Sequence, residues 1–171
     1  FAGLKSRDEA KTFIYALIYG AGDEKIGRVI KGSRESGRKL RERFLISLPA
    51  LATLKTRVDR ASEKKYLKGL DGRKIIIRHK HAALNSLLQG GGAIAMKKAL
   101  VFLYEDLQLN AIDAKIVANI HDEWQIEVKE EQADFVGRLG VKCIRKAGDF
   151  YKMRCPLDGE YKIGESWYET H

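Results

Sequence analysis

The first half of the chain has apolar residues at the spacing of helices. Ser6 can act as a helix N-cap, and the apolar positions that follow it recur at helical period: Ala10, Phe13, Ile14, Leu17 and Ile18. Gly20-Ala-Gly22 ends this helix, and Asp23 is placed to cap a second, short one. Further helices are predicted from Ser33 to about Ser47 and, opened by a proline, from Pro49 to about Lys64. This half is therefore predicted to be one helical lobe.

The second half mixes strand patterns with helices. Strand-forming residues flank Asp71-Gly72, which predicts a β-hairpin, and a long apolar helix follows from about Ala82 to Gln108, interrupted by Gly90-Gly-Gly92. A second hairpin is predicted over IVANIHDEWQIEV, with alternating core-facing positions Ile116, Ala118, Ile120, Trp124, Ile126 and Val128. A helix from about Glu130 to Gly148 and a short strand pair around Asp158-Gly159 complete the order. The predicted fold class is α+β.

Composition and charge narrow the possible partners. The chain has 171 residues, of which 44% are hydrophobic, enough for a globular protein with a real core. No apolar run is long enough for a transmembrane helix, so no membrane partner is expected. The net charge of +9 favours a polyanionic partner, nucleic acid first. Cys143 and Cys155 lack metal-site spacing and are predicted to be structural thiols of a reducing, intracellular setting.

The first helix carries a polar stripe, in which Arg7, Lys11, Tyr15 and Tyr19 are spaced by four. Each step of four advances about 6 Å and turns about 40°, so the stripe is about 18 Å long. Its cations at one end and phenols at the other match a nucleoside triphosphate, with phosphates at one end and a flat base at the other. Two alternatives remain on spacing alone: an ordinary solvated face, or a helix-turn-helix that binds DNA.

Two further sets of polar residues are candidates for a site. Asn85 and Gln89 share one helix face, and their amides suit the acceptors that every correct base pair presents in the minor groove. Capping or solvated amides are the alternative. His121, Asp122 and Glu123 occupy the tip of the second hairpin, where carboxylate oxygens are suitable ligands for Mg²⁺. An ordinary surface turn would have the same pattern.

Three segments together resemble one family. Arg7-x-x-x-Lys11-x-x-x-Tyr15-x-x-x-Tyr19-Gly20 resembles the fingers-helix motif of family A DNA polymerases, and RDEAKTFIYALIYGAGDEKIG is similar especially to the replicative polymerases of T-seven-like phages. LKGLDGRKIIIRHKHAALNSLLQGGGAIAMKKA and the HDE hairpin resemble later parts of the same family. The resemblance covers essentially the whole chain. It implies a helical fingers subdomain at residues 1–66 and the C-terminal part of a palm subdomain, with antiparallel hairpins and a long helix, at residues 67–171.

For the first helix, the resemblance implies contacts with the incoming dNTP. Arg7 would contact its outer phosphates, and Lys11 would bind the phosphates and help neutralise the departing pyrophosphate. Tyr15 occupies the position whose ring packs on the deoxyribose, where Tyr rather than Phe weakens discrimination against dideoxynucleotides. Tyr19 would stack at the template side of the nascent pair.

For the later segments, the resemblance implies contacts with DNA and metal. Asn85 and Gln89, joined by His81, would lie against primer–template DNA. Asp122 would ligate the catalytic Mg²⁺ ions, Glu123 would tune the site, and His121 would lie near the primer terminus. The implied activity is template-directed addition of dNTPs to a primer 3′-hydroxyl, a nucleotidyl transfer by a two-metal mechanism. The implied location is the cytoplasm of a bacterial or phage-infected cell; the processivity partner is left open.

One expected motif does not occur in the chain. The second metal-binding Asp of the family belongs to a motif of the form Asp-Tyr-Ser-x-x-Glu upstream of the fingers helix, and no such stretch is present. Mg²⁺ binds weakly to one or two protein ligands without substrate phosphates, so the chain alone is expected to lack polymerase activity. The missing palm and thumb portions would then be its partner. Alternatives are a subunit of a split polymerase and a non-catalytic basic DNA-binding module.

Overall fold

The structure, a computed structural model, describes residue 4 and residues 6–171. It confirms an α+β fold, with two antiparallel hairpins among helices. The elements are α1 (Arg7–Ile18), α2 (Asp23–Val29), α3 (Arg34–Ser47), α4 (Pro49–Ser62), β1 (Tyr66–Lys68), β2 (Lys74–Ile76), a 3₁₀ turn (Lys80–Ala82), α5 (Ala83–Leu109), β3 (Ala114–Ile120), β4 (Glu123–Val128), α6 (Glu130–Phe150) and α7 (Trp167–Thr170). The chain divides into two compact units, Phe1–Gly90 and Gly91–His171. The boundary predicted after residue 66 stays a prediction, because compact packing alone does not define fingers and palm.

Local capping fixes the starts of the first helices. The Ser6 side chain accepts a hydrogen bond from the backbone N–H of Glu9 at 3.1 Å, as its N-cap position predicts. Ser33 caps α3 in the same way. The prediction for Asp23 was wrong: Gly22 is the N-cap of α2, and Asp23 is its first helical residue. The Asp23 carboxylate instead pairs with Arg41 of α3, a contact between helices that local sequence could not reveal.

Helices α1, α2 and α3 pack around one apolar cluster. Its buried members are Phe13, Leu17, Ile26, Leu40 and Phe44. The rings of Phe13 and Phe44 meet edge to face with centroids 5.0 Å apart, the geometry that aromatic quadrupoles favour. Because α1 contributes Phe13 and Leu17 to this cluster, its opposite face is left to solvent.

Helices α2 and α3 approach so closely that Gly37 is required between them. A Cβ on Gly37 would overlap the carbonyl oxygen of Asp23 and the backbone of Gly27. Backbone atoms cannot rotate away as a flexible side chain does, so the helices would have to separate.

We therefore expect Gly37→Ala to lower the free energy of unfolding by about 2 kcal/mol, although alanine is the better helix former. Gly92→Ala is the matched control, because Gly92 also lies inside a helix and a Cβ there would meet nothing within 4 Å. That variant should raise the free energy of unfolding by up to about 1 kcal/mol. Urea titrations of both variants measure the difference, and equal effects would contradict the packing argument.

The first hairpin and the start of α5, as far as Gly90, pack with α4 in the rest of the first unit. β1 and β2 pair antiparallel with Leu67 opposite Ile75, as the Asp71-Gly72 turn predicts. The predicted interruption of the long helix was wrong, since α5 runs unbroken through Gly90-Gly-Gly92. Three glycines weaken a helix by about 1 kcal/mol each relative to alanine, yet packing on either side of them maintains it. Gly90 also lies against Ile75, where a Cβ would come within 3.1 Å of the Ile75 side chain.

The second unit packs α6 and the second hairpin against the later part of α5. Its buried cluster consists of Leu103, Leu107, Val136, Leu139 and Cys143, with Trp124, Ile126 and Val128 packed on it as their alternation predicts. Ile120 departs from the prediction in part, because it is 37% exposed at the end of β3. A register shift between Ile116 and Ala118 interrupts the ladder, which changes the alternation before the hairpin tip.

The strand pair predicted around Asp158-Gly159 was wrong. Within the described part of the chain, residues 152–166 contain no strand, and the stretch instead contacts α6. The Tyr161 hydroxyl donates to Asp134 at 2.6 Å, and the Arg145 guanidinium pairs with Asp158 at 2.9 Å. Side chains on α6 therefore replace the strand partner that the sequence pattern suggested. No helix among the described residues is long and apolar enough to cross a membrane.

The two thiols have different surroundings. Cys143 is buried in the second unit, and burial together with the nearby Asp106 carboxylate raises the pKa of its thiol to about 11. Cys155 is exposed. We expect Cys155 to react promptly with a thiol reagent at pH 8 and Cys143 to react only after unfolding, because the thiolate is the reactive form. Counting labelled thiols by mass before and after denaturation, with Cys155→Ser as control, tests this difference.

Candidate functional site

The predicted polar stripe lies on the solvent-facing side of α1. Arg7, Lys11 and Tyr15 are on the helix, and Tyr19 follows its last turn. Tyr15 is 52% exposed and Tyr19 is 53% exposed, whereas Phe13 on the other face is completely buried. None of the four polar side chains has a hydrogen-bond or ion-pair partner among the residues that the structure describes. They are therefore available to a ligand along one helix face.

The end of α1 meets the segment that precedes α5. Gly20 has φ of +75°, and a Cβ there would overlap the carbonyl of His81, so only glycine fits this turn. The contact brings the end of the stripe next to His81, 61 positions later in the chain. The His81 ring stacks on that of His79 at 5.5 Å. His81 lies in the 3₁₀ turn just before α5.

Asn85 and Gln89 share one face of α5, as predicted from their spacing. Gln89 is exposed and Asn85 is half-buried. The Asn85 side-chain oxygen is buried and has no hydrogen-bond partner within the described residues. An unsatisfied buried oxygen destabilises a fold, so Asn85 is poorly explained by packing or capping. The alternative of capping amides is therefore disfavoured for Asn85.

A two-residue loop forms the tip of the second hairpin. Ile120 and Glu123 are paired across the strands, which leaves His121 and Asp122 in the loop. His121 has φ of +54°, the left-handed region that two-residue hairpin loops require at their first position. Nonglycine residues adopt it at some strain, and such strain occurs often at functional sites. The geometry turns Asp122 outward at the tip of the hairpin.

The two adjacent carboxylates at the tip have opposite surroundings. The Asp122 carboxylate is exposed and has no hydrogen-bond or ion-pair partner in the described part of the chain. Glu123 accepts hydrogen bonds from Gln125 at 2.6 Å and from the Trp167 indole at 3.0 Å, both on Oε1. Its Oε2 lies 3.0 Å from Nδ1 of His171. The bonds from Gln125, then His171 and Trp167, hold the pKa of Glu123 below its usual range.

Trp167 and His171 were not predicted as site residues. They lie 44 and 48 positions after Glu123, and no local spacing connects them to it. The aromatic composition of the last residues was the only signal in the sequence, and it did not indicate a contact.

The residues present fit one metal ligand but not a complete metal site. Among the described residues, no group of three or more His, Cys, Asp or Glu side chains is arranged to hold a metal ion. Asp122 alone offers a free carboxylate at the hairpin tip. The donor set is therefore suitable for Mg²⁺ only if further oxygen ligands come from elsewhere.

Comparison with known proteins decides the family. The family described as DNA polymerase family A matches residues 3–169 of the chain. The chain belongs to this family. The family membership that the three segments predicted is thus confirmed, and the match covers nearly the whole chain.

Relatives within family A include phage and bacterial enzymes. The chain is 40% identical to the DNA-directed DNA polymerase of Escherichia phage Phieco32, a match that covers 99% of this chain and 29% of the relative. It is 37% identical to that of Escherichia phage T7, over 99% of this chain and 27% of the relative. DNA polymerase I of Aquifex aeolicus is 33% identical over 95% of this chain and 30% of the relative. The chain therefore spans less than a third of the length of these relatives.

A solved structure has the same fold. It is the POL domain of Pol1 from M. smegmatis in complex with DNA primer-template and dNTP, which superposes with a TM-score of 0.79 over 96% of this chain and 31% of that chain. The sequence identity is 22%, so this likeness concerns the fold alone.

Proposed function

We propose that the chain forms the fingers and the C-terminal part of the palm of a DNA-directed DNA polymerase. The observation that carries the proposal is the exposed stripe Arg7–Lys11–Tyr15–Tyr19, free of partners among the described residues, in a chain that belongs to family A. Primer–template DNA and dNTPs are its proposed substrates. The solved POL domain with both bound supports this choice by its shared fold.

The stripe binds the incoming dNTP with its phosphates toward the N-terminus of α1. Arg7 and Lys11 donate charge-assisted hydrogen bonds to the phosphates. The ring of Tyr15 packs on the deoxyribose, and Tyr19 stacks at the template side of the nascent base pair. Because each side chain already points to solvent, the helix needs no internal rearrangement to offer these groups.

The beginning of α5 contacts the primer–template duplex. Gln89 and Asn85 read acceptors in the minor groove that are common to correct base pairs, and His81 extends this contact toward Tyr19. The side-chain NH₂ groups of the two amides would donate to these acceptors, whereas the buried Asn85 oxygen, itself an acceptor, would need a donor from outside the described residues. In this arrangement the turn at Gly20 links the nucleotide-binding helix to the duplex-binding helix.

The chemistry is an attack of the primer 3′-hydroxyl on the α-phosphate of the dNTP. The 3′-hydroxyl gives up its proton to solvent and forms a new P–O bond, the bond from the α-phosphorus to the oxygen that bridges it to the β-phosphate breaks, and pyrophosphate leaves. Arg7 and Lys11 stabilise the charge that develops on it. Asp122 would ligate Mg²⁺, which when bound stabilises the attacking and leaving oxygens. Glu123 keeps the tip in place, His121 lies near the primer terminus, and a second carboxylate comes from a palm segment outside this chain.

A non-catalytic DNA-binding module is the second candidate, favoured by the net charge of +9 and by the hairpin tip, where Asp122 is the one carboxylate without a partner among the described residues. Such a module should bind duplex DNA with a steep salt dependence and no effect of dNTP or Mg²⁺. A polymerase segment should bind primer–template more tightly when the matching dNTP is present.

Grafting tests the proposal directly. We define the chimera as the phage T7 polymerase in which this chain replaces the matching segment. The chimera should extend a primer with the templated dNTP, and the chain alone should not. An inactive chimera, together with duplex binding by the chain that ignores dNTP and Mg²⁺, would favour the DNA-binding module instead.

A further inference from the structure

The segment 156–171 connects α6 to the tip of the second hairpin. At its near end, the Tyr161 hydroxyl bonds Asp134 at 2.6 Å, and the Tyr161 ring lies directly over Gly137, where a Cβ would collide with it. Arg145 and Asp158 form a bidentate pair at 2.9 and 3.2 Å. The segment is thus anchored along α6 before it reaches the hairpin.

At its far end, the segment engages Glu123 and Gln125. The Trp167 indole donates to Glu123 Oε1 at 3.0 Å, and His171 Nδ1 lies 3.0 Å from Oε2. The Thr170 hydroxyl donates to the side-chain oxygen of Gln125 at 3.1 Å. The rings of Trp167 and His171 meet edge to face at 6.1 Å, so the two contacts to Glu123 support each other.

These contacts occupy both oxygens of Glu123 and neither oxygen of Asp122. A carboxylate that already accepts three hydrogen bonds is a poor additional metal ligand, whereas the neighbouring free carboxylate is a good one. Only two loop residues separate the paired positions Ile120 and Glu123. Fixing the Glu123 side chain therefore restrains the direction in which Asp122 presents its carboxylate.

We propose that Trp167 and His171 are positioning residues: they hold Glu123 so that Asp122 faces the divalent cation. This inference rests on the proposed polymerase function, because it concerns the same carboxylate. Outer partners that orient metal ligands commonly change metal affinity or activity when they are removed. A purely structural role, in which the segment only covers α6, would not act through Glu123.

The variants separate these roles. Trp167→Phe keeps an aromatic ring and removes the donor to Glu123. His171→Leu removes the second donor, and His171→Gln restores one. Tyr161→Phe loosens the anchor on α6 without touching Glu123, and Tyr168→Ala is a surface control at a side chain that is 94% exposed.

Two readouts are needed, one of them independent of activity. The first is hydrogen exchange of the hairpin-tip amides in the chimera without metal or dNTP; Trp167→Phe and His171→Leu should accelerate it, and Tyr161→Phe should not. The second is the Mg²⁺ concentration for half-maximal extension, which should rise about tenfold in those two variants at unchanged dNTP KM. His171→Gln should restore part of the loss.

The outcomes distinguish this inference from the proposed function. If Asp122→Ala abolishes extension but Trp167→Phe and His171→Leu leave tip exchange and Mg²⁺ requirement unchanged, positioning is refuted and the polymerase assignment stands. Equal shifts in Tyr161→Phe would also refute it, in favour of simple docking of the segment. Full activity of Asp122→Ala would refute the proposed function itself.

Discussion

Asp122→Ala should abolish primer extension by the chimera, with a loss of at least about a thousandfold, while leaving its affinity for primer–template DNA nearly unchanged. The reason is the surroundings of this carboxylate: it is exposed, lies in a fixed two-residue loop and has no partner in the described part of the chain. A metal ligand contributes through charge stabilisation in the transition state, and several kcal/mol of such stabilisation corresponds to about three orders of magnitude in rate.

The control should remove the same charge from the same unit. Asp113 is an exposed carboxylate just before β3, outside the hairpin tip. Asp113→Ala should extend primers at close to the rate of the unaltered chimera. Single-turnover extension with saturating dNTP measures the rates, and fluorescence anisotropy with labelled primer–template measures binding. A rate for Asp122→Ala within about tenfold of the Asp113→Ala rate would refute the ligand assignment, since that is only about 1.4 kcal/mol.

The parts of the fold that sequence predicted well are those decided within a few residues. The N-cap at Ser6, the start of α3 near Ser33 and the turn at Asp71-Gly72 depend on neighbouring backbone groups, so the local sequence was enough to predict them. The four-residue stripe on α1 is equally local, because helix geometry fixes which side chains share a face. Asp23 shows the limit: its carboxylate pairs with Arg41 on another helix, and Gly22 is the N-cap of α2 instead.

The errors arise where packing between distant segments decided the outcome. Gly90-Gly-Gly92 weakens a helix intrinsically, but helix continuity depends on what packs around α5 as well as on propensity. The stretch around Asp158 has strand-like composition, yet its polar groups pair with Arg145 and its neighbour Tyr161 with Asp134, both on α6. No period of two or 3.6 encodes such a partner.

For the candidate site, too, the sequence predicted the local features and missed the contacts between distant segments. Resemblance to the family singled out Asp122 and the α1 stripe as candidates, while spacing alone left each open between a binding site and an ordinary surface feature. The family resemblance implied that Glu123 tunes the site. It did not show that Trp167 and His171 of the 156–171 segment contact both oxygens of Glu123. The difference between the two adjacent carboxylates is tertiary, because it depends on residues more than forty positions away.

Lys11→Ala should lower the rate of dNTP incorporation by the chimera by about two orders of magnitude, with less effect on DNA binding. Lys11 lies in the middle of α1 on its exposed face, without an ion-pair partner among the described residues. Its ammonium group is therefore free to meet charge that grows on the leaving pyrophosphate. An interaction that strengthens as the bond breaks lowers the maximal rate more than it weakens ground-state binding.

The matched control is Lys25→Ala, which removes the same charge from an exposed position on α2. This variant should incorporate dNTP at a rate within about twofold of the unaltered chimera. A surface charge outside the stripe acts on the nucleotide only through its long-range electrostatic field, which salt screens. Lys11→Arg should recover part of the rate, because it keeps the charge but presents a planar donor group of different reach. Rapid-quench measurements over a range of dNTP concentrations separate the maximal rate from nucleotide affinity. Equal losses in Lys11→Ala and Lys25→Ala would show that general positive charge, rather than the stripe, supports nucleotide addition.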